Sequence, residues 1–263
     1  MAVSPNASHP RLDLEIRNAA SQQLAITLVA DETHLFEENV RGEPADPDAV
    51  MPDPVEVFAR CANRGMFGAS GNAHETSVLV DRKTFEPEHD RQTWALTTTH
   101  LNPDAFTILI HLLQARLPRA LIIRTIGTSI PPETPLRAPD NRDYPRLPKN
   151  PGFEGEIEAP DHSGRDRGVE IVFAAHPEPD FVETLFEDLR HWTHLFLLGG
   201  FPRVGTHPRQ AGGFPDHPIQ PDAWSVGIEC PIFASHDAAL WALVHYAHRL
   251  HRQGHEVARV LVY

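Results

Sequence analysis

The segment that follows Pro179 carries ionisable side chains at a helical spacing. Its acidic and imidazole groups share one stripe of a helix, away from the apolar residues: Glu183, Glu187, His191 and His194. Glu187, His191 and His194 are therefore candidate ligands of a divalent metal, because carboxylates and imidazoles are common zinc ligands. The alternative is an ordinary solvated helix face, since no established metal motif matches this spacing. The sequence predicts no cofactor, with a histidine-bound divalent metal as the alternative.

A second set of candidates lies on the last predicted helix, opposite its apolar face: Trp241, His245, His248 and Arg252. Tryptophan and arginine are enriched at the energetic centres of protein interfaces. This face is therefore a predicted binding surface for a protein or peptide. The alternatives are a plain solvated surface and metal or proton chemistry by the histidines.

A third candidate is the glycine- and proline-rich insertion at 199–221, in which Gly-Gly-Phe-Pro occurs twice. Glycines allow close backbone approach to a ligand, and Phe201 and Phe214 would supply an apolar rim. Arg203 adds local positive charge suited to a carboxylate or phosphate. The pattern is not a phosphate-binding loop, because no Gly-Lys-Ser/Thr closes it. A flexible connector is the alternative.

The composition limits the partners of the chain. A formal net charge of −13 over 263 residues repels phosphate backbones, so nucleic-acid binding is disfavoured and a basic partner is favoured. There is no apolar run of 18 residues, which predicts no membrane span. The first 20 residues show no secretory signal, and two widely separated cysteines fit a reducing compartment. The predicted location is the cytoplasm.

The order of the elements supplies the fold prediction. A strand containing Trp94, a helix opened by Asn102-Pro103 and an apolar strand recur as a strand containing Trp224, a helix from Ser235 to about Gln253 and a final strand. An Asp53-Pro54 cap opens an earlier helix, and Leu12 to Ile16 is a further predicted strand. The alternative is a single α+β domain with chance similarities.

The recurrence predicts an α+β protein of two tandem ferredoxin-like βαββαβ units, related by internal duplication and joined by a long Pro-rich segment. The first unit covers 12–130, the linker or wrapping loop 131–168, and the second unit 169–263. Both closing helices are apolar on two sides, with Ile108 and Leu112 on the second ridge of the first. Those ridges are expected to pack on each other or to form a homodimer.

Two functions follow from these features. The preferred hypothesis is a non-catalytic binding or accessory protein that engages a protein or peptide partner through its surfaces and exposed sheet edges. The alternative is an enzyme with a histidine-based, metal-dependent or metal-free site between the halves, under the 199–221 loop.

Overall fold

The fold is mixed α+β, and its described residues form four helices and two main sheets. The structure, a computed structural model, describes residues 21–29, 52–70, 74–86, 89, 91–115, 120–124, 128–130, 152–157, 167–201, 217–230 and 237–263. The helices of this part are α1 (Pro54–Asn63), α2 (Pro103–Gln114), α3 (Pro179–Leu197) and α4 (Ala238–Arg252). The strands are β1 (Gln22–Val29), β2 (Ala69–Ser70), β3 (His74–Glu75), β4 (Ser77–Glu86), β5 (Arg91–Thr99), β6 (Ala120–Ile123), β7 (Thr128–Ile130), β8 (Glu154–Ile157), β9 (Arg167–Phe173), β10 (Ser225–Cys230) and β11 (Val257–Val262).

The first half of the chain, residues 21–130, forms an antiparallel sheet in the order β4-β5-β1-β6-β7. Apolar and polar residues alternate along β1 and β5, so each strand turns one face to the core. A register shift between Val80 and Arg82 places a β-bulge in β4, the edge strand of this sheet.

The second half, residues 152–263, forms a sheet in the order β10-β9-β11-β8, antiparallel except for the parallel pair β8–β11. Ile219 makes an isolated bridge to Gly227 on the outer edge of β10. It thereby stands beside β10 as β4 stands beside β5 in the first sheet. Gly227 has no room for a side chain, because an added Cβ would lie 2.9 Å from the carbonyl oxygen of Val169.

The helix starts follow from local chemistry. The Asp53 carboxylate accepts hydrogen bonds from the amides of Val55 and Glu56, and Asn102 accepts one from Ala105, each followed by proline at the first helical position. Both predicted caps are confirmed. The helix start predicted at Ser235 lies outside the described residues; α4 begins at Ala238 after Asp237, whose side chain makes no capping hydrogen bond. No helix in the described ranges is both long and apolar enough to cross a membrane.

The two halves meet through their helices. Helix α1 of the first half packs against α3 of the second. Within the second half, the indole nitrogen of Trp192 on α3 donates to the carbonyl of Ala239 at the start of α4. The second apolar ridges of α2 and α4 are covered in large part within one chain, although Ala115 at the end of the first is exposed and Trp241 on the second is half-buried. A homodimer remains a prediction.

The segment 131–168 contains more structure than its prolines indicate. Phe153 is buried, and β8 lies inside this range and pairs with β11. The sequence Glu-Gly-Glu-Ile has no marked strand propensity, and the neighbouring strand supplies its extended form through the ladder. The strand predicted at Leu12 to Ile16 lies outside the described residues.

Candidate functional site

The predicted stripe on α3 lies where the two halves meet. We call this region the α1–α3 seam and define it by Arg60 and Arg64 on α1 with Asp188, His191 and His194 on α3. Arg60 Nη1 lies 3.2 Å from His191 Nε2, and the rings of His191 and His194 have centroids 6.5 Å apart. Both imidazoles are half-buried, whereas Arg60 is exposed. The fold thus joins the two predicted histidines to an arginine that the sequence analysis did not select.

Burial and positive charge keep the seam histidines neutral. Burial lowers the pKa of His191, and the guanidinium of Arg60, the neighbouring His194 and Arg64 lower it further, while Glu187 raises it. Burial and Arg60 likewise lower the pKa of His194. With Nε2 of His191 facing an N–H donor, that nitrogen acts as an acceptor and the proton resides on Nδ1.

The predicted metal ligands can now be placed. Glu187 is exposed one turn before His191 and influences that ring electrostatically. Within the described part of the chain, no group of three histidine, cysteine or acidic side chains is arranged to hold a metal ion. The metal remains a hypothesis of the sequence, and Arg60 stands at the nitrogen through which His191 would bind it.

A second polar cluster, which shares Asp188 and Arg64 with the seam, was missed by sequence reasoning. Asp188 is buried, accepts a 2.7 Å hydrogen bond from the Tyr246 hydroxyl and lies 2.8 Å from Nε of Arg64. Burial raises the pKa of Asp188, an effect that Tyr246 and Arg64 oppose. A signal was present, because Asp188 interrupts the apolar face of α3 formed by Leu185, Leu189 and Trp192.

Glu75 extends this cluster to α4. Its carboxylate lies 2.9 Å from Arg249 Nη1 and 3.5 Å from Arg252 Nη1. Gly65 has a φ of +73° and packs against the Arg249 side chain, because an added Cβ would stand 2.7 Å from Cδ of Arg249. Arg252, a predicted surface residue, is thus tied to the first half of the chain.

The predicted binding surface on α4 is largely covered. His245 is 5% exposed, and burial together with the nearby His248 lowers its pKa to about 4. Trp241 is partly buried and packs against the core. His248 is half-buried, with its ring centroid 6.2 Å from that of Phe153. Of the four residues predicted to form this surface, Arg252 alone is exposed.

The predicted site in the 199–221 insertion is described only at its ends. Phe201 is buried, 3% exposed, with its ring 6.4 Å from that of Phe196. Arg203 and Phe214 lie outside the described residues, as does most of the loop. Phe201 therefore joins the start of the insertion to the core, and the predicted apolar rim remains a prediction.

Among the described residues, three large apolar side chains are exposed, and they lie elsewhere. Leu79 is 62% exposed and Phe85 51%, both on the edge strand β4, and Trp224 before β10 is 48% exposed. Leu79 pairs with Thr97 and Phe85 with Gln92 on β5. Gln92 is buried and Thr97 is half-exposed between buried neighbours, so the bulge in β4 sends Leu79 and Phe85 to opposite faces of the sheet.

Comparison with known proteins gives no family. No protein-family model matches the chain, and no curated protein matches it. A solved structure, the formyltransferase/hydrolase complex from Methylorubrum extorquens in complex with methylofuran, shares 12% identity over 92% of this chain and 86% of the other, with a TM-score of 0.19. A likeness of that size carries no inference about fold or function.

Proposed function

We propose that the chain is a non-catalytic binding protein whose β4 edge takes up an extended segment of a basic partner protein. The observation that carries this proposal is the coincidence of an edge strand with two exposed apolar side chains, Leu79 and Phe85. In the described sheet, β4 pairs with β5 on one side. On its other side the Asn63 side chain already bonds the N–H and C=O of Val78, so an added strand would use the edge that follows Val78.

Edge strands are normally protected, and β4 carries part of that protection. The bulge at Asp81 and the neighbouring charges of Arg82 and Lys83 discourage pairing with arbitrary strands. Proteins do not ordinarily place large exposed apolar side chains on either side of a protective bulge, because these side chains promote association. Leu79 and Phe85 therefore support a selective contact, with the bulge setting its register.

The chemistry of the partner follows from the register and the charge. Along β5, the residues opposite Leu79 and Phe85 are Thr97 and Gln92, which lie five positions apart. A strand added on the other side is expected to match this spacing, with large apolar residues at positions i and i+5 on opposite faces. The net charge of −13 favours a segment with a positive net charge.

The test is selection of peptides from a displayed random library on the tag-free full chain, followed by fluorescence anisotropy with a synthetic peptide of the selected sequence. We expect basic peptides with two large apolar residues five positions apart. Leu79→Lys and Phe85→Lys should each weaken binding by at least about tenfold, because a charge at the edge opposes pairing. The matched control is Trp224→Ala, which removes a comparably exposed apolar group from the other sheet and should change binding less than about twofold.

Three results would contradict the proposal. One is the absence of any enriched peptide. Another is a set of peptides whose binding ignores both β4 substitutions. The third is sedimentation showing a dimer that Leu79→Lys dissociates, which would assign the edge to a second copy of the chain.

The finer fold prediction, two ferredoxin-like units related by duplication, is part of this proposal. The order β4-β5-β1-β6 is that of a βαββαβ sheet, and β10-β9-β11 repeats its last three positions. Ile219, at the outer edge of β10, supports a partial counterpart of β4. Duplication would explain why each half adds a strand beside its closing strand, β7 in one and β8 in the other.

The alternative function, an enzyme with a histidine-based site between the halves, retains one favourable observation. His191 does contact Arg60 across the two halves. Its test is elemental analysis of the tag-free protein before and after chelation, with the melting temperature followed in parallel. Stoichiometric metal that raises the melting temperature would favour the enzyme.

A further inference from the structure

We infer that Arg60, His191 and His194 form a binding site for a doubly charged oxyanion, such as a phosphate monoester, and that binding strengthens as the pH falls. This site is separate from the β4 edge and does not depend on the peptide proposal. It assigns His191 and His194, which the sequence analysis considered as metal ligands, to the binding of an anion.

The contact between Arg60 and His191 is the first step. A guanidinium that donates to a neutral imidazole at 3.2 Å uses one of its five N–H groups and keeps its full positive charge. In the described part of the chain, no carboxylate lies within ion-pair distance of Arg60, whereas Arg64 is paired with Asp188. Arg60 therefore presents an uncompensated fork of donors beside two half-buried imidazoles.

The surroundings of the histidines are the second step. His191 is affected by Arg60 and Arg64 of α1 and by Glu187 and His194 of its own helix, and His194 by Arg60. Of the two acids in this region, Asp188 is paired with Arg64, and Glu187 acts on His191 through its charge. The guanidinium of Arg60 is therefore the charge that has no carboxylate partner among the described residues, and an oxyanion is a ligand that would pair with it.

The same geometry disfavours a divalent cation. A metal on Nε2 of His191 would take the place of the Arg60 donor and would stand beside a guanidinium that does not lose its proton. An oxyanion instead accepts from Arg60 and, once the rings are protonated, from His191 and His194. Arginine suits this role because its planar fork matches phosphate oxygens.

The pH dependence follows from the rings. Neutral imidazoles offer the anion one N–H each, and the charged forms add a positive charge and a second donor. A bound anion should therefore raise the pKa of both rings toward or above the ordinary value of 6.5. Sulfate is the probe for this arm because its charge does not change between pH 5 and 8, whereas phosphate titrates in that range.

The experiment uses the tag-free full chain. Calorimetric titration with phenyl phosphate at pH 6.0 measures affinity, and Arg60→Gln should weaken it by at least about tenfold, as expected for a lost charged hydrogen bond. Arg190→Gln is the matched control, because Arg190 is exposed on α3 and no ion pair joins it to the described residues. It should change affinity less than about twofold.

Histidine NMR supplies a second readout, which reports on the rings themselves and does not depend on a measured affinity. Adding sulfate should raise the titration midpoints of His191 and His194 in the parent chain and leave them unchanged in Arg60→Gln. The inference fails if the parent chain shows no binding, if both arginine variants lose affinity equally, or if the affinity for sulfate rises with pH. It also fails if Zn²⁺ binds at these histidines and does so more tightly in Arg60→Gln, which would restore the metal assignment.

Discussion

The hydroxyl group of Tyr246 on α4 donates a 2.7 Å hydrogen bond to Oδ2 of Asp188 on α3, and both residues are buried. Arg64 reaches the other carboxylate oxygen from the first half of the chain. One buried acid thus links two helices of the second half to α1 of the first. Because a buried carboxylate is costly unless its oxygens are paired, each partner contributes to the stability of the seam.

Removal of the Tyr246 hydroxyl tests this link. Tyr246→Phe keeps the ring and leaves Oδ2 of Asp188 without its donor, so we expect a loss of about 1–3 kcal/mol in the free energy of unfolding. Urea denaturation at pH 7 measures it. Tyr263→Phe, at a half-buried site after β11, is the control and should cost less. An equal loss in both variants would show that the Asp188 contact contributes nothing specific.

The pH dependence of stability tests the state of Asp188. Burial raises its pKa above 3.8, so the folded chain holds this proton more tightly than the unfolded chain does. Its contribution to stability is therefore most favourable at low pH and declines as the pH rises from 3.8 through the folded pKa. The difference in unfolding free energy between the parent and Asp188→Asn should shift in favour of the variant across that window.

Asp222 is the control for that measurement. Hydrogen bonds from the amide of Trp224 and from Ser225 lower its pKa below 3.8, so its contribution is lost only as the pH falls under that value. Asp222→Asn should therefore give a nearly constant difference above about pH 5. A parallel response of the two variants would contradict a raised pKa at Asp188.

Sequence and structure agree where the rule is local. The caps at Asp53 and Asn102 depend on residues two or three positions away, and these helices begin where predicted. The partners of Asp188, at positions 64 and 246, are set by the packing of three helices, which no local pattern contains. Helical periodicity placed an acid on a buried face, and that was the only available sign.

The candidate sites divide in the same way. Spacing brought His191 and His194 to one face of α3, but Arg60, which determines their chemistry, comes from 131 residues away along the chain. The α4 surface was selected because Trp241 and His245 lie opposite an apolar face. A helix covered on two sides buries both faces, so periodicity alone could not decide their exposure.

Asp53 and Asp237 each precede a helix, but Asp53 alone of the two caps its helix with a side-chain hydrogen bond. Asp53 caps α1, accepts from the buried indole of Trp94 at 3.1 Å and lies 2.5 Å from Nζ of Lys83. Asp53→Ala should therefore cost about 2–4 kcal/mol, the sum of a lost cap and an unpaired buried donor. Asp237 precedes α4 without a side-chain hydrogen bond, so Asp237→Ala should cost under about 0.5 kcal/mol. Thermal or urea unfolding compares them, and similar losses would refute the role of the Asp53 contacts.

Gly199 and Gly254 separate backbone strain from the contact between the halves. Both have positive φ, +85° and +95°, so alanine is strained at either position. A Cβ at Gly199 would stand 2.7 Å from Cβ of Ala115 at the end of α2, whereas at Gly254 it would meet nothing within 4 Å. Gly254→Ala should cost about 1 kcal/mol, and Gly199→Ala more by about 1–3 kcal/mol, because two helix ends must move apart.

A double-mutant cycle identifies the source of the Gly199 excess. Ala115→Gly removes the opposing methyl group, so its combination with Gly199→Ala should recover most of the excess, while its combination with Gly254→Ala should be additive. Urea unfolding of the five variants and the parent gives the coupling energy. Additivity in both pairs would mean that the end of α2 does not abut Gly199 in solution. Coupling confined to the Gly199 pair would establish that the ends of α2 and α3, one from each half, lie against each other in solution.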